Sequence, residues 1–319
     1  MKTFSITLGL ALAATALAKT PVILSTDVGN EIDDQWAIAY LLTNPNFDVR
    51  AIVSAQAPSL PAPSAHASYE ILVDEVEKRL GMAVHPPLFE GSSEPLADLQ
   101  TPHPNAGVDY LIETSKQFSS SNRLTVLTIG AATDVASAIL KDRSVTERIR
   151  VVAMGFRSLA EGGHEFNIEN DPKAWQAILD SNVPVVIGAG DVCQRDLGMG
   201  FDHTKTFLAQ RGAVGAWLWG EYQDWYFRNV KPLRKNDFSK PWIIWDIITL
   251  AYLEGMTTQN EVERPKLADD LSFQKTGSDK KITWITNVDS SRLWEDFAKR
   301  LDYYQSTHAV GLTTCPSPH

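Results

Sequence analysis

Cysteine is scarce: Cys193 and Cys315 are the only two in 319 residues. That excludes a disulfide framework, and a chain of this length needs none; whether the two are joined is left open. No Asn-x-Ser/Thr sequon occurs, so N-linked glycan is not expected. Positive charge is in deficit, with 29 Lys and Arg against 39 Asp and Glu and a net charge of −10. Such a surface repels phosphate backbones, which argues against a nucleic-acid polymer as partner. No apolar run reaches the roughly 20 residues that span a bilayer, so membrane insertion is not expected. The nearest approach is Met1–Ala18, where Lys2 precedes an apolar stretch and Ala16-Leu17-Ala18 offers a small-x-small cleavage site. This segment reads as a signal peptide, with a secreted mature chain starting near Lys19. Losing Lys2 leaves 28 basic against 39 acidic residues, or −11. Internal repeats and low-complexity linkers are also missing, so 19–319 is expected to form a single domain.

What is present is ordinary globular material, 44% hydrophobic and 21% charged. Short β-branched or apolar runs alternate with helix-period segments: 22–26 then 33–44, 49–55 then 64–81, 87–91 then 107–118, and 124–130 then 132–142. The alternation continues through 148–155, 171–181 and 183–190. Strands and helices of these lengths predict an α/β fold, a mostly parallel open sheet with helices on both faces. After about residue 200 the texture becomes helical and aromatic, with Trp217, Trp219, Tyr222, Trp225 and Tyr226. We read this stretch as a helical cap, followed by a last strand near 280–287 and a helix from about 290. Residues 56–65, rich in Pro, Ser and Ala, form an irregular loop.

The chemistry concentrates after the first strand, in PVILSTDVGNEIDDQWAIAYLL. Asp27 closes the strand, Gly29 is available for a turn, and Asp33 and Asp34 open the next helix. Ligands of open parallel sheets bind beyond the carboxyl ends of the strands, where this loop falls if the first strand is central. Crowded carboxylates repel unless a cation compensates, and calcium accepts 6–8 oxygen ligands in flexible geometry. Zinc would call for His or Cys, and a phosphate cradle for Lys and more glycine. Helix capping explains one Asp, at about 1 kcal/mol each, but explains three together with Glu31 less well.

The loop resembles the Asp-rich first motif, DxDxGxDD, of the inosine-uridine type nucleoside hydrolase family. Further landmarks follow in the same order. GAATD at 130–134 is similar to the family's GPLTN turn and MGF at 154–156 to its MGG segment. HEFNIENDPKAW at 164–175 is similar to its EFNxxxDPEAA stretch, and WDIIT at 245–249 occupies its final Asp motif. The resemblance implies that Asp27, Asp34, Asp246 and the backbone carbonyl of Thr133 hold Ca2+. It implies that Asp27 is also the general base for a water attacking C1′, while Asp33, Met154, Glu165 and Asn167 contact ribose. Taken alone, Glu165 and Asn167 could simply cap the helix that begins nearby, and Thr133 would be a capping threonine. The substrate implied is a small-molecule nucleoside, and the family forms dimers and tetramers.

Departures from the pattern bear on specificity. Trp245 stands where the best-known members carry the His that protonates the leaving base, as it does in a purine-preferring branch that stacks the base between aromatic rings. Stacking on an aromatic face is worth roughly 1–3 kcal/mol and favours the larger purine face. Purine nucleosides are therefore the expected substrates, with Tyr222, Trp225 and Tyr226 as candidates for the second ring. The alternative for Trp245 is core packing within PWIIWDIITL, the fate expected for Trp242. Ser25 replaces the first Asp of the motif, two residues are inserted between Gly29 and Asp33, and the usual Asn after the second strand is missing from AQAPSL. Two other functions stay open on sequence alone: a glycosidase acting on another ribosyl substrate, and a secreted binding protein that keeps the pocket without turnover.

Overall fold

The computed structural model describes residues 18–308 other than 234, 236 and 238. Apart from Ala18, the expected leader lies outside the described residues, as does Cys315.

The first strand sets the architecture. In β1 (Thr20–Thr26), Val22 and Leu24 enter one core while Ile23 enters the other, the two-residue period of a strand buried on both faces. It is followed by α1 (Asp33–Thr43), β2 (Phe47–Ser54), α2 (Ser64–Asp74), a π-helical turn Glu75–Arg79, β3 (Leu88–Phe89) and α3 (Ala106–Ser115). Next come β4 (Leu124–Thr128), α4 (Thr133–Lys141), α5 (Val145–Arg148), β5 (Ile149–Met154), α6 (Phe166–Asn170), α7 (Pro172–Asp180) and β6 (Val185–Gly188). The helical stretch contains α8 (Gly190–Asp196), β7 (Gly198–Met199), α9 (Phe201–Leu208), α10 (Gly212–Trp225), a second π-helical turn Tyr226–Val230 and α11 (Lys231–Leu233). Last are β8 (Trp242–Ile243), α12 (Ile247–Leu253), β9 (Thr257–Glu263), β10 (Lys266–Leu267), β11 (Phe273–Gln274), β12 (Lys281–Val288) and α13 (Ser290–Thr307).

The main sheet has eight strands in the order β3-β2-β1-β4-β5-β6-β12-β9. Every pairing is parallel except β12 with β9, so the mostly parallel α/β fold read from the sequence is the fold observed. One face carries α1, α9, α10, α12 and α13; the other carries α3, α4 and α7. Leu208, Leu218, Tyr222 and Tyr226 share a core with Trp36 and Phe297, so the helices after residue 200 are built into the sheet's own packing. Among the described residues, no helix is long and apolar enough to cross a membrane.

Two local expectations need correction, and one strand lies where none is expected. The strand expected at 87–91 reduces to Leu88–Phe89. The helix expected over 64–81 loosens into a π turn after Asp74. The antiparallel edge strand β9, TTQNEVE, carries mostly exposed polar side chains, which suits an edge strand but hides the apolar alternation that marks a strand.

Topology also fixes where a site belongs. β2 and β3 lie on one side of β1 and β4 lies on the other. The order in which strands are added therefore switches from one side of β1 to the other between β1 and β4, and the crevice beyond their carboxyl ends is where ligands of such sheets bind.

Candidate active site

Asp27 leaves β1 at this switch point, and its carbonyl accepts from Asn30 N at 3.1 Å. Gly29 completes the turn at φ 98°, a left-handed value that glycine adopts without steric cost. Asn30 Nδ2 donates to Asp27 Oδ2 at 2.9 Å, and Asn30 Oδ1 accepts from Ser59 N at 3.0 Å. Across the crevice, Gly130 follows β4. A Cβ there would lie 2.8 Å from Asp27 Oδ1 and 2.9 Å from its Cβ. Gly130→Ala is therefore expected to displace the Asp27 carboxyl and cut turnover by roughly 100-fold, the cost of a misplacement of about 1 Å. Steady-state kinetics beside a thermal melt check this, and undiminished turnover would show that the carboxyl's position is uncritical.

Asp33 and Asp34 form the first turn of α1, and Asp246 sits at the N-cap of α12. All three are buried, and each offers an oxygen within 4.8 Å of the others. Thr26 Oγ1 donates to Asp34 Oδ1 in a very short hydrogen bond. Burial, then the neighbouring charge of Asp33, pushes Asp27 up to about 8. Asp33 is raised to about 6, chiefly by burial. Asp34 and Asp246 stand well above the ordinary carboxylate range because of burial and the adjacent aspartates. Arg157 is the only Lys or Arg among the described cleft residues. Three buried carboxylates crowded this closely suit a hard metal ion.

These side chains floor a cleft of about 440 Å³ that Ile129, Met154, Glu165, Phe166 and Asn167 also border. Asn167 Nδ2 donates to the carbonyls of Ile129 at 3.1 Å and Met154 at 3.4 Å. Glu165 caps α6, accepting from Asn167 N and Ile168 N, and burial raises it to about 7. The capping explanation for Glu165 is thus true and compatible with a place in the cleft.

Of the expected site residues, Asp27, Asp33, Asp34, Met154, Glu165, Asn167, Trp245 and Asp246 all border this cleft. Asp33 shares the tight carboxylate triad with Asp34 and Asp246, and Asp27 borders the same cleft, hydrogen-bonded to Asn30. Thr133 lies in the first turn of α4, its Oγ1 donating to Asp171 Oδ2 at 2.7 Å, and is not among the described residues that border the cleft. Ile129, the residue after β4, does border it.

One wall is aromatic. Trp225, Trp242 and Trp245 border the cleft together with Glu31, and Trp225 lies 6.2 Å from Trp242 at a tilt of 53°. Trp242, expected in the core, is only partly buried. Tyr222 and Tyr226 are fully buried, with hydroxyls donating to the carbonyls of Met199 and Lys240, which rules them out as stacking rings. Cys193 is buried beneath the wall and its Sγ donates to the carbonyl of Trp245 at 3.6 Å.

A carboxylate-lined cleft at the switch point of a parallel sheet, with a buried triad that could hold a hard cation, is an arrangement suited to activating water. Residues 22–295 match the model of the inosine-uridine preferring nucleoside hydrolases; the chain belongs to that family and to the hydrolases that act on N-glycosyl compounds. It is 25% identical to the pyrimidine-specific ribonucleoside hydrolase RihA of Salmonella typhimurium, over 89% of this chain and 99% of that one. Its fold is similar to a purine-preferring ribonucleoside hydrolase from Gardnerella vaginalis, with TM-score 0.71, 18% identity, 91% of this chain and 100% of that one covered. An inosine-guanosine nucleoside hydrolase matches with TM-score 0.71 and 15% identity, over 89% of this chain and 99% of that one.

Proposed function

We propose that the protein hydrolyses the N-glycosidic bond of ribonucleosides, purine nucleosides by preference, releasing free base and ribose with Ca2+ bound. The observation that carries this reading is a single cleft with Asp27, Asp33, Asp34 and Asp246 on its floor and Trp225, Trp242 and Trp245 on its wall. Asp27, Asp34 and Asp246 would hold the calcium, with Asp33 beside them and a backbone carbonyl of the β4-to-α4 turn, that of Thr133 or of Ile129, as a neutral donor. When bound, the ion supplies positive charge that offsets the carboxylates and makes the attacking water more acidic.

The rest falls to the chain's own side chains. Asp27 accepts the water's proton as oxygen approaches C1′. Glu165 and Asp33 accept from ribose hydroxyls, bonds that strengthen as the sugar becomes electron-poor. Asn167 is held by its Nδ2 on the Ile129 carbonyl, leaving its Oδ1 for a further hydroxyl. Trp245 stacks on the departing base, with Trp242 and Trp225 extending the wall.

Purine preference rests on that wall, since a larger ring system covers more of it. The relative named pyrimidine-specific supports the opposite choice. The test is kcat/KM for inosine, adenosine, guanosine and uridine with calcium present. Purines are expected to lead by about tenfold or more, as stacking of roughly 1–3 kcal/mol allows. Uridine as the best substrate would overturn the stacking reading and keep the hydrolase; tight nucleoside binding without base release would favour a binding protein.

We also propose that the chain is exported on the leader read over Met1–Ala18. A mature product starting near Lys19 in the culture medium supports this, and retention inside the cell would overturn it.

A further inference from the structure

The loop between β1 and α1 is two residues longer than the family's first motif, and Glu31 within it is built into the aromatic wall. Its Oε1 accepts from Trp242 Nε1 at 2.6 Å and from Trp245 Nε1 at 3.1 Å. A carboxyl oxygen has the two acceptor sites that this requires. Each indole has one polar atom, so fixing that atom fixes the direction in which the ring face looks. Both rings are only partly buried; without the tie, each N–H could turn toward water and take its ring face out of the wall. The tie reaches further, because Trp242 packs against Trp225 at 6.2 Å, and the buried Trp225 Nε1 has no hydrogen-bond partner among the described residues to orient it.

We propose that Glu31 is a positioning residue that sets the planes of Trp242 and Trp245 and thereby tunes selection of the base. This role rests on the nucleoside reading above. A side chain that merely filled space would be replaceable by an apolar group; one that orients two N–H donors needs an acceptor at that point. Its loss should therefore weaken binding of the base portion while leaving in place the side chains at the ribose end, none of which it hydrogen-bonds.

Glu31→Ala and Glu31→Gln carry the test, with Glu31→Leu in place of alanine if the latter does not fold. Ultraviolet resonance Raman and near-UV circular dichroism of the ligand-free proteins read indole hydrogen bonding and orientation without reference to activity. Glu31→Ala is expected to weaken the N–H signature of two of the nine tryptophans and to raise KM for the preferred nucleoside about tenfold, as loss of one stacked face would. Inhibition by free ribose should be unchanged, since ribose carries no base to meet the wall. Glu31→Gln, whose amide oxygen still accepts, should restore most of both readouts. Unchanged indole signals in Glu31→Ala, or an unchanged KM despite altered signals, would overturn the assignment. A wild-type protein that releases no base would instead overturn the nucleoside reading, and the spectra together with nucleoside-binding titrations would still decide on Glu31.

Discussion

Asp27→Asn is expected to lower kcat by about 10²- to 10⁴-fold, the usual contribution of a general base, with KM little changed. The substitution is nearly isosteric, and the amide can still bond with Asn30, which holds Asp27 Oδ2 at 2.9 Å. It also removes a carboxyl whose ionised form is disfavoured by burial and by Asp33, as its rise to about 8 records. The variant should therefore melt no lower than the wild type in calcium-free buffer. Loss of turnover without loss of stability separates a chemical role from a structural one. Full activity in Asp27→Asn would require another base; parallel loss of activity and fold would make Asp27 a structural residue.

Removing the cation is expected to have an effect of comparable size and a distinctive pH dependence. Without calcium, Asp27 is raised to about 8 and Asp33 to about 6 from an ordinary 3.8, and Glu165 to about 7 from 4.5. Between those limits the folded protein holds more protons than the unfolded chain, so stability falls as pH rises. The contribution is fully present below about pH 4 and is lost progressively up to about pH 8. Calcium binds the ionised carboxylates of the folded state only, so its stabilisation should grow over the same range. Thermal melts from pH 5 to 8, with calcium and with chelator, would show two curves that diverge upward in pH, and turnover should vanish in chelator. Coincident curves would mean that the triad holds no ion.

Much of this organisation is legible in the sequence because the core strands are buried on both faces and therefore read as short apolar runs. β1, β4, β5 and β6 announce themselves this way, and the amphipathic helices between them follow. β9 does not, because an exposed edge strand needs no apolar face. Two-residue strands such as β3 are too short for any periodicity. At the site, Asp27, Asp34 and Asp246 are visible through their spacing and setting. For Thr133, motif matching cannot tell which residue of a strand-to-helix turn faces the crevice; in the structure Ile129, just after β4, borders it. Trp242 and Tyr222 exchange their expected places for a related reason: Trp242 opens an apolar run yet borders the cleft, while Tyr222, between Glu221 and Gln223, is buried by the packing of α10 against α1 and α13. Glu31 escapes a motif reading altogether, since it falls in an extension that the family pattern does not contain. Its partners lie more than 200 residues away.

The most direct test of the central assignment is inosine incubated with the wild-type protein in ¹⁸O-labelled water, with calcium and after chelation, followed by mass analysis of the sugar. The expected result is one labelled oxygen on ribose and an equal amount of unlabelled hypoxanthine, formed only when calcium is present. Inosine that remains intact although calcium and nucleoside are both bound would contradict a hydrolytic role for this cleft, as would ribose released without the label.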